Sequence, residues 1–183
     1  MTDKFDPLEG AGGAAGDRMA DEILQSPLLG GGLPAEARRQ LDLAAERYRF
    51  TDVAETHLFE AERIAPDHAA VLIALYRFYF YKGRLTEALD VARACVEKAL
   101  KLNVLGDDWR KVEPDDAPFG RWEALLPRFF LFSLKGYAYL SLRLGMVEQG
   151  RAAAEKLLAL DPRDRIGAKV LIDVLDAMEE ADD

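Results

Sequence analysis

The chain has 183 residues, half of them apolar and 31% charged, with 24 Lys and Arg against 33 Asp and Glu for a formal net charge of −9. That apolar share supports a core and excludes wholesale disorder, while the acidic balance excludes a general nucleic-acid binder, which needs clustered cations to neutralise phosphates. The single cysteine, Cys95, excludes an intramolecular disulfide and a multi-thiolate zinc site. The start carries no basic residues followed by an apolar stretch, and the longest apolar run, residues 69–81, contains Arg77 and is too short to span a bilayer. The expectation is a soluble cytoplasmic protein with no membrane partner.

Residues 1–33 read as a flexible arm. Half of the 14 glycines fall there, with six acids against Lys4 and Arg18. Glycine loses the most backbone entropy on ordering, and this stretch has little apolar surface to compensate. The arm reads first as an inert tail; the alternative is a tether whose apolar cluster, residues 23–29 (ILQSPLL), docks on a groove of this chain or of a partner.

From residue 34 the chain is self-similar. A step of 34 residues pairs Leu41 with Leu75, Ala54 with Ala88 and Ala61 with Cys95. A step of 62 pairs Leu72 with Leu134, Gly83 with Gly145 and Ala92 with Ala154. The economical account is three units, residues 35–68, 69–102 and 129–162, with an insertion at 103–128. Each unit has the pattern of a helical hairpin. Leu72, Leu75, Tyr76 and Tyr79 share one helical face. Gly83 and Gly145 supply turns, Thr51 and Thr86 stand where helix caps are needed, and Pro66 and Pro162 stop the second helices. Residues 163–181 carry an apolar stripe (Ile166, Val170, Leu171, Val174, Leu175, Met178) backed by acids, as expected of a helix that caps the last hairpin.

These residues resemble the tetratricopeptide repeat (TPR) family: small residues where two helices touch, glycine in the turn, proline after the second helix. The third unit matches best, through Leu134, Tyr137, Ala138, Gly145, Ala154 and Pro162. The second has Leu100 where the closing proline would stand, and the first has Arg49 in place of the turn glycine. The resemblance implies an all-α array of three hairpins over residues 34–183. It also implies a concave groove lined by the first helix of each unit. That face would carry Arg39, Leu43 and Arg47, then Ile73, Arg77, Phe80 and Tyr81, then Phe132, Lys135, Tyr139 and Arg143. A groove of aromatic anchors and arginines suits a partner peptide or helix with apolar anchors and some acids. The chaperone-tail clamp of some TPR domains is not expected, because the positions matching its basic and amide residues hold Arg39, Leu43, Ala74, Phe132 and Gly136.

The insertion holds Trp109, Phe119 and Trp122 among four turn-forming residues, Gly106, Pro114, Pro118 and Gly120. Each large aromatic buries on the order of 150–250 Å², so an ordered excursion packed on the repeats is expected, and its tryptophans are themselves candidates to fill the groove. Pro127 is expected as the first residue of the next helix. Catalytic signals are thin. His57 and His68 lie eleven apart with no metal spacing, Cys95 occupies a small-residue packing position, and no phosphate loop or nucleophile elbow occurs. The reading is a non-enzymatic adaptor or assembly factor without cofactor or metal, binding one protein partner. A secretion-type TPR chaperone and a structural homodimer are the alternatives.

Overall fold

Amphipathic runs of 12 to 19 residues, joined within each pair by turns of three or four residues, leave each helix its partner in the pair as the nearest surface on which to bury its apolar face. The computed structural model describes Leu29 and residues 31–182. Among residues 31–182 lie seven α-helices, α1 (Ala35–Glu46), α2 (Thr51–Ile64), α3 (Ala69–Tyr81), α4 (Leu85–Asn103), α5 (Leu125–Arg143), α6 (Val147–Leu160) and α7 (Lys169–Asp182), and no strand occurs among the described residues. The pairs α1/α2, α3/α4 and α5/α6 lie side by side as antiparallel hairpins. The 19-residue helices α4 and α5 make the broadest helix contact, fusing the second and third hairpins into one body, and α7 closes against α6. The first hairpin reaches α3 through α2 by a much narrower backbone contact.

Alanine sets the helix spacing. Ala54 and Ala61 of α2, Ala88, Ala92 and Ala99 of α4, and Ala153 and Ala154 of α6 are all essentially inaccessible. Gly83 and Gly145 take φ of +70° and +78° in their turns, where a side chain would be strained. The first hairpin turns at residues 47–50 without any left-handed residue, so Arg49 needs no glycine in its place.

The structure corrects several details. Thr51 and Leu85 are first helical residues, the N-caps are Phe50 and Arg84, and neither makes a side-chain cap bond. Helix α5 starts at Leu125, so Pro127 is its third residue. That position still lies in the first turn, whose N–H groups have no acceptor within the helix. The closing helix starts at Lys169 rather than 163. Residues 163–168 form a turn held by two carboxylates: Asp161 accepts from the Arg165 backbone at 2.7 Å, and Asp164 accepts from the Ala168 and Lys169 backbone. At the other end, Leu29 is buried and the Gly31 carbonyl is hydrogen-bonded to His68, so the chain is already held there, short of residue 33. The rest of the expected arm lies outside the described residues.

The insertion folds back on α5 and α6. Asp108 caps a 3-10 turn, Trp109–Lys111, and Trp109, Val112 and Phe119 are buried. Trp109 meets Tyr137 at 6.1 Å between ring centroids and Phe119 meets Phe130 at 5.9 Å. Lys156 of α6 donates to the Val112 carbonyl at 2.9 Å.

Cys95 packs as a small apolar residue, and burial pushes its thiol up to about 12, with Asp67 adding to the shift. Burial likewise pushes Tyr79 up to about 12, helped by its hydrogen bond to Glu55. Groups raised in the folded state stabilise it fully below their unfolded values and lose that contribution as pH climbs through the folded ones. Stability should therefore fall above about pH 9, toward 12. At pH 8 a thiol reagent should leave Cys95 unmodified in the native protein and titrate one thiol in denaturant. Rapid native labelling would contradict this burial.

Candidate functional site

Helix α1 is polar and buries only Ala37 and Ala44, so it has little to drive into α3. The result is an open apolar cavity of about 790 Å³ between the first helices of the first two hairpins. Its α1 wall is Arg38, Leu41, Asp42, Ala44 and Ala45, continued by Tyr48 of the following turn, and its α3 wall is Ala70, Ala74, Arg77, Phe78 and Tyr81. Leu33 stands at one end and Leu58 of α2 contributes to the floor. The volume falls within the range of ligand-binding clefts. Alanines at 44, 45, 70 and 74 keep the space open. The Tyr48 end is fixed by Lys82, which donates to the Tyr48 carbonyl at 2.8 Å and lies 4.1 Å from its ring centroid.

The structure brings only Arg77 and Tyr81 of the expected groove residues into this cavity. Arg39, Leu43 and Arg47 do not line it. Arg39 is exposed and pairs with Glu36 at 3.7 Å, Leu43 is half-buried, and Arg47 is the exposed C-cap of α1. Sequence reading missed Arg38, Leu41, Asp42 and Ala45, because the other side of α1, with Arg39, Leu43 and Arg47, carries the same helical spacing. Ile73 and Tyr139 are buried.

The third-hairpin half of the expected groove is occupied by the chain itself. Phe80 sits in an aromatic seam, stacked on Tyr76 at 5.8 Å and tilted against Tyr139 at 5.7 Å. Trp122 of the insertion meets Phe132 edge-on at 6.0 Å. Arg165 donates to the Gly120 carbonyl and reaches Asp161 at 3.6 Å, tying the insertion to the turn before α7. Lys135 donates to the Ile166 carbonyl at 2.7 Å, and burial, opposed by Asp164, holds its ammonium below the usual lysine range. Arg143 donates to the Tyr139 hydroxyl at 2.6 Å. These side chains hold elements together.

Polar contacts tie the helices of the first two hairpins to one another and to the chain before α1. Glu55 of α2 accepts from Tyr79 at 3.1 Å and from Arg84 at 2.8 Å, and Arg84 also bonds Glu87. His68 caps α3: its Nδ1 accepts from the Ala70 backbone at 3.2 Å, which leaves Nε2–H to donate to the Gly31 carbonyl at 3.2 Å. His57 bonds Gln40, joining α2 to α1. No group of three or more His, Cys, Asp or Glu able to hold a metal occurs among the described residues, and no described helix is long and apolar enough to cross a membrane.

Fold and cavity together define an all-α protein of consecutive helical hairpins with an open apolar groove between the first two. No family model and no solved structure matches the chain. Over 133 residues it is 43% identical to the uncharacterized 19.8 kDa protein in the nifW 5' region of Azotobacter chroococcum mcd 1, covering 72% of this chain and 74% of that protein. The chain belongs to the same family as that protein.

Proposed function

We propose that this protein is a TPR-like, non-enzymatic interaction module of the cytoplasm that binds an apolar segment of one protein partner between α1 and α3. The observation that carries this reading is the cavity itself, about 790 Å³ with an apolar floor and with Arg38, Asp42 and Arg77 among its lining residues. A soluble domain gains nothing in stability by leaving so much apolar surface open, and surfaces of that kind serve partners. The TPR-like reading is supported by the matched small residues at the hairpin contacts, Ala54 with Ala88 and Ala61 with Cys95, all buried. Partner side chains would fill the space over Ala45 and Ala74. A partner carboxylate would meet an arginine, and a partner amide or cation would meet Asp42.

The relative's gene lies in the 5' region of nifW, so products of the genes around nifW are the first partners to test. Ala45 is exposed and lines the groove, so Ala45→Trp fills the site without entering the core. Wild-type protein should copurify with its partner, and Ala45→Trp should lose it while keeping the wild-type melting temperature. Retention by the folded variant would refute binding in this groove.

A further inference from the structure

The α1/α2 hairpin is held to the rest of the molecule at its two ends, and differently at each. Both chain connections lie at the end where α3 starts. The segment before α1 is pinned there by the Gly31 carbonyl on His68, and the segment after α2 runs through residues 65–68 into α3. Lys98 of α4 anchors that second connection at Asp67, 3.4 Å away. Each connection holds a left-handed residue, Gly32 at φ +78° and Asp67 at φ +58°, and hinges are built from such short inter-element segments. The opposite end is held by polar contacts. Lys82 donates to the Tyr48 carbonyl, and Glu55 of α2 accepts from Arg84 and from Tyr79. Glu55 and Arg84 are only 17% and 35% exposed.

Apolar packing between these ends is thin. The buried residues of α1 and α2 are four alanines and Leu58. The largest fully buried side chains, from Val71 to Leu171, all lie outside the hairpin. Where α1 faces α3 there is the open cavity. Elements that move are drawn from regions with few buried apolar contacts.

We infer that the α1/α2 hairpin is a hinged lid on the groove, pivoting on residues 31–34 and 65–68 and latched at the other end by the Glu55–Arg84–Tyr79 and Lys82–Tyr48 contacts. Opening draws the α1 wall away from the α3 wall and widens the groove at its Tyr48 end. A bulky segment then enters from the side, and relatching closes the walls on it. That use of the motion rests on the reading of the groove as a binding site, and the motion itself does not.

Spin labels on the full chain test the lid, because the one native cysteine is buried. One pair joins Asp52, at the latch end of α2, to Gln149 on α6. The other joins Arg63, at the hinge end, to Gln149, and all three positions are exposed. Glu55→Ala cuts one half of the latch. Lys82→Met cuts the other half and leaves the Glu55 contacts in place, so the test survives if the first variant unfolds the hairpin. Losing a hydrogen bond to a charged group should raise the open population about tenfold. The expected result is a second 52–149 distance, longer by at least about 5 Å, half a helix diameter, with the 63–149 distance nearly unchanged. A single unaltered 52–149 distance in both variants, or equal broadening of the two pairs, would overturn the lid. Partner capture is read alongside with Ala45→Trp. Opening without groove-dependent capture defeats the binding reading and leaves the lid standing, whereas groove-dependent capture without opening defeats the lid alone.

Discussion

Phe130→Ala should cost about 3–5 kcal/mol in denaturant unfolding. Phe130 is fully buried in α5, the helix that joins the second hairpin, the insertion and the third hairpin. Its ring faces Phe119 of the insertion, so truncation leaves a cavity where three parts of the fold meet. A double-mutant cycle with Phe119→Ala should show a coupling of about 0.5–1.5 kcal/mol, the range for aromatic pairs. A loss below about 1 kcal/mol for Phe130→Ala would mean that the site collapses freely and that the insertion is not part of the core.

The second large effect reverses a propensity rule. Replacing a helical glycine with leucine ordinarily gains close to 1 kcal/mol, but Gly150→Leu, at the fourth residue of α6, should lose about 1–3 kcal/mol by overpacking. Gly150 is where α6 crosses α5: a Cβ there would stand 2.5 Å from Leu142 Cγ and 3.1 Å from the Ala138 carbonyl oxygen. The buried Leu142 side chain would have to shift, and the Ala138 carbonyl, part of the α5 backbone, cannot follow it. Leu142→Ala in the same chain should therefore restore part of the loss and never all of it. A stabilised Gly150→Leu protein would show that the two helices are further apart than this contact.

The hairpins were legible because their signals are local. Gly83 and Gly145 mark turns that need positive φ, and alanines recur at the 34-residue step. The face of α1 was not legible. That helix reads AEARRQLDLAAE and buries only alanines, which hardly register in a hydrophobic pattern, so periodicity does not separate the side carrying Arg38, Leu41 and Ala45 from the side carrying Arg39 and Leu43. On α3 the aromatics run around most of the circumference, which hid that Ile73 faces inward while Tyr81 faces the cavity. Lys135 was out of reach for another reason. Its acceptor, the Ile166 carbonyl, is 31 residues further along, and no local pattern announces such a bond. The start of α5 was masked by Pro127, a residue expected at the first helical position and placed at the third.

The most direct test of the groove as the binding site is photocrosslinking in the cell from Tyr81, which lines the cavity and is 47% exposed, against Phe59, a comparably exposed aromatic (49%) on α2 that does not line it. Benzoylphenylalanine replaces each in turn, which keeps an aromatic ring at both positions. A single partner should become covalently attached from position 81, through one apolar segment, and the adduct should disappear when Ala45→Trp fills the groove. The account is contradicted if position 59 yields the same adduct and position 81 yields none.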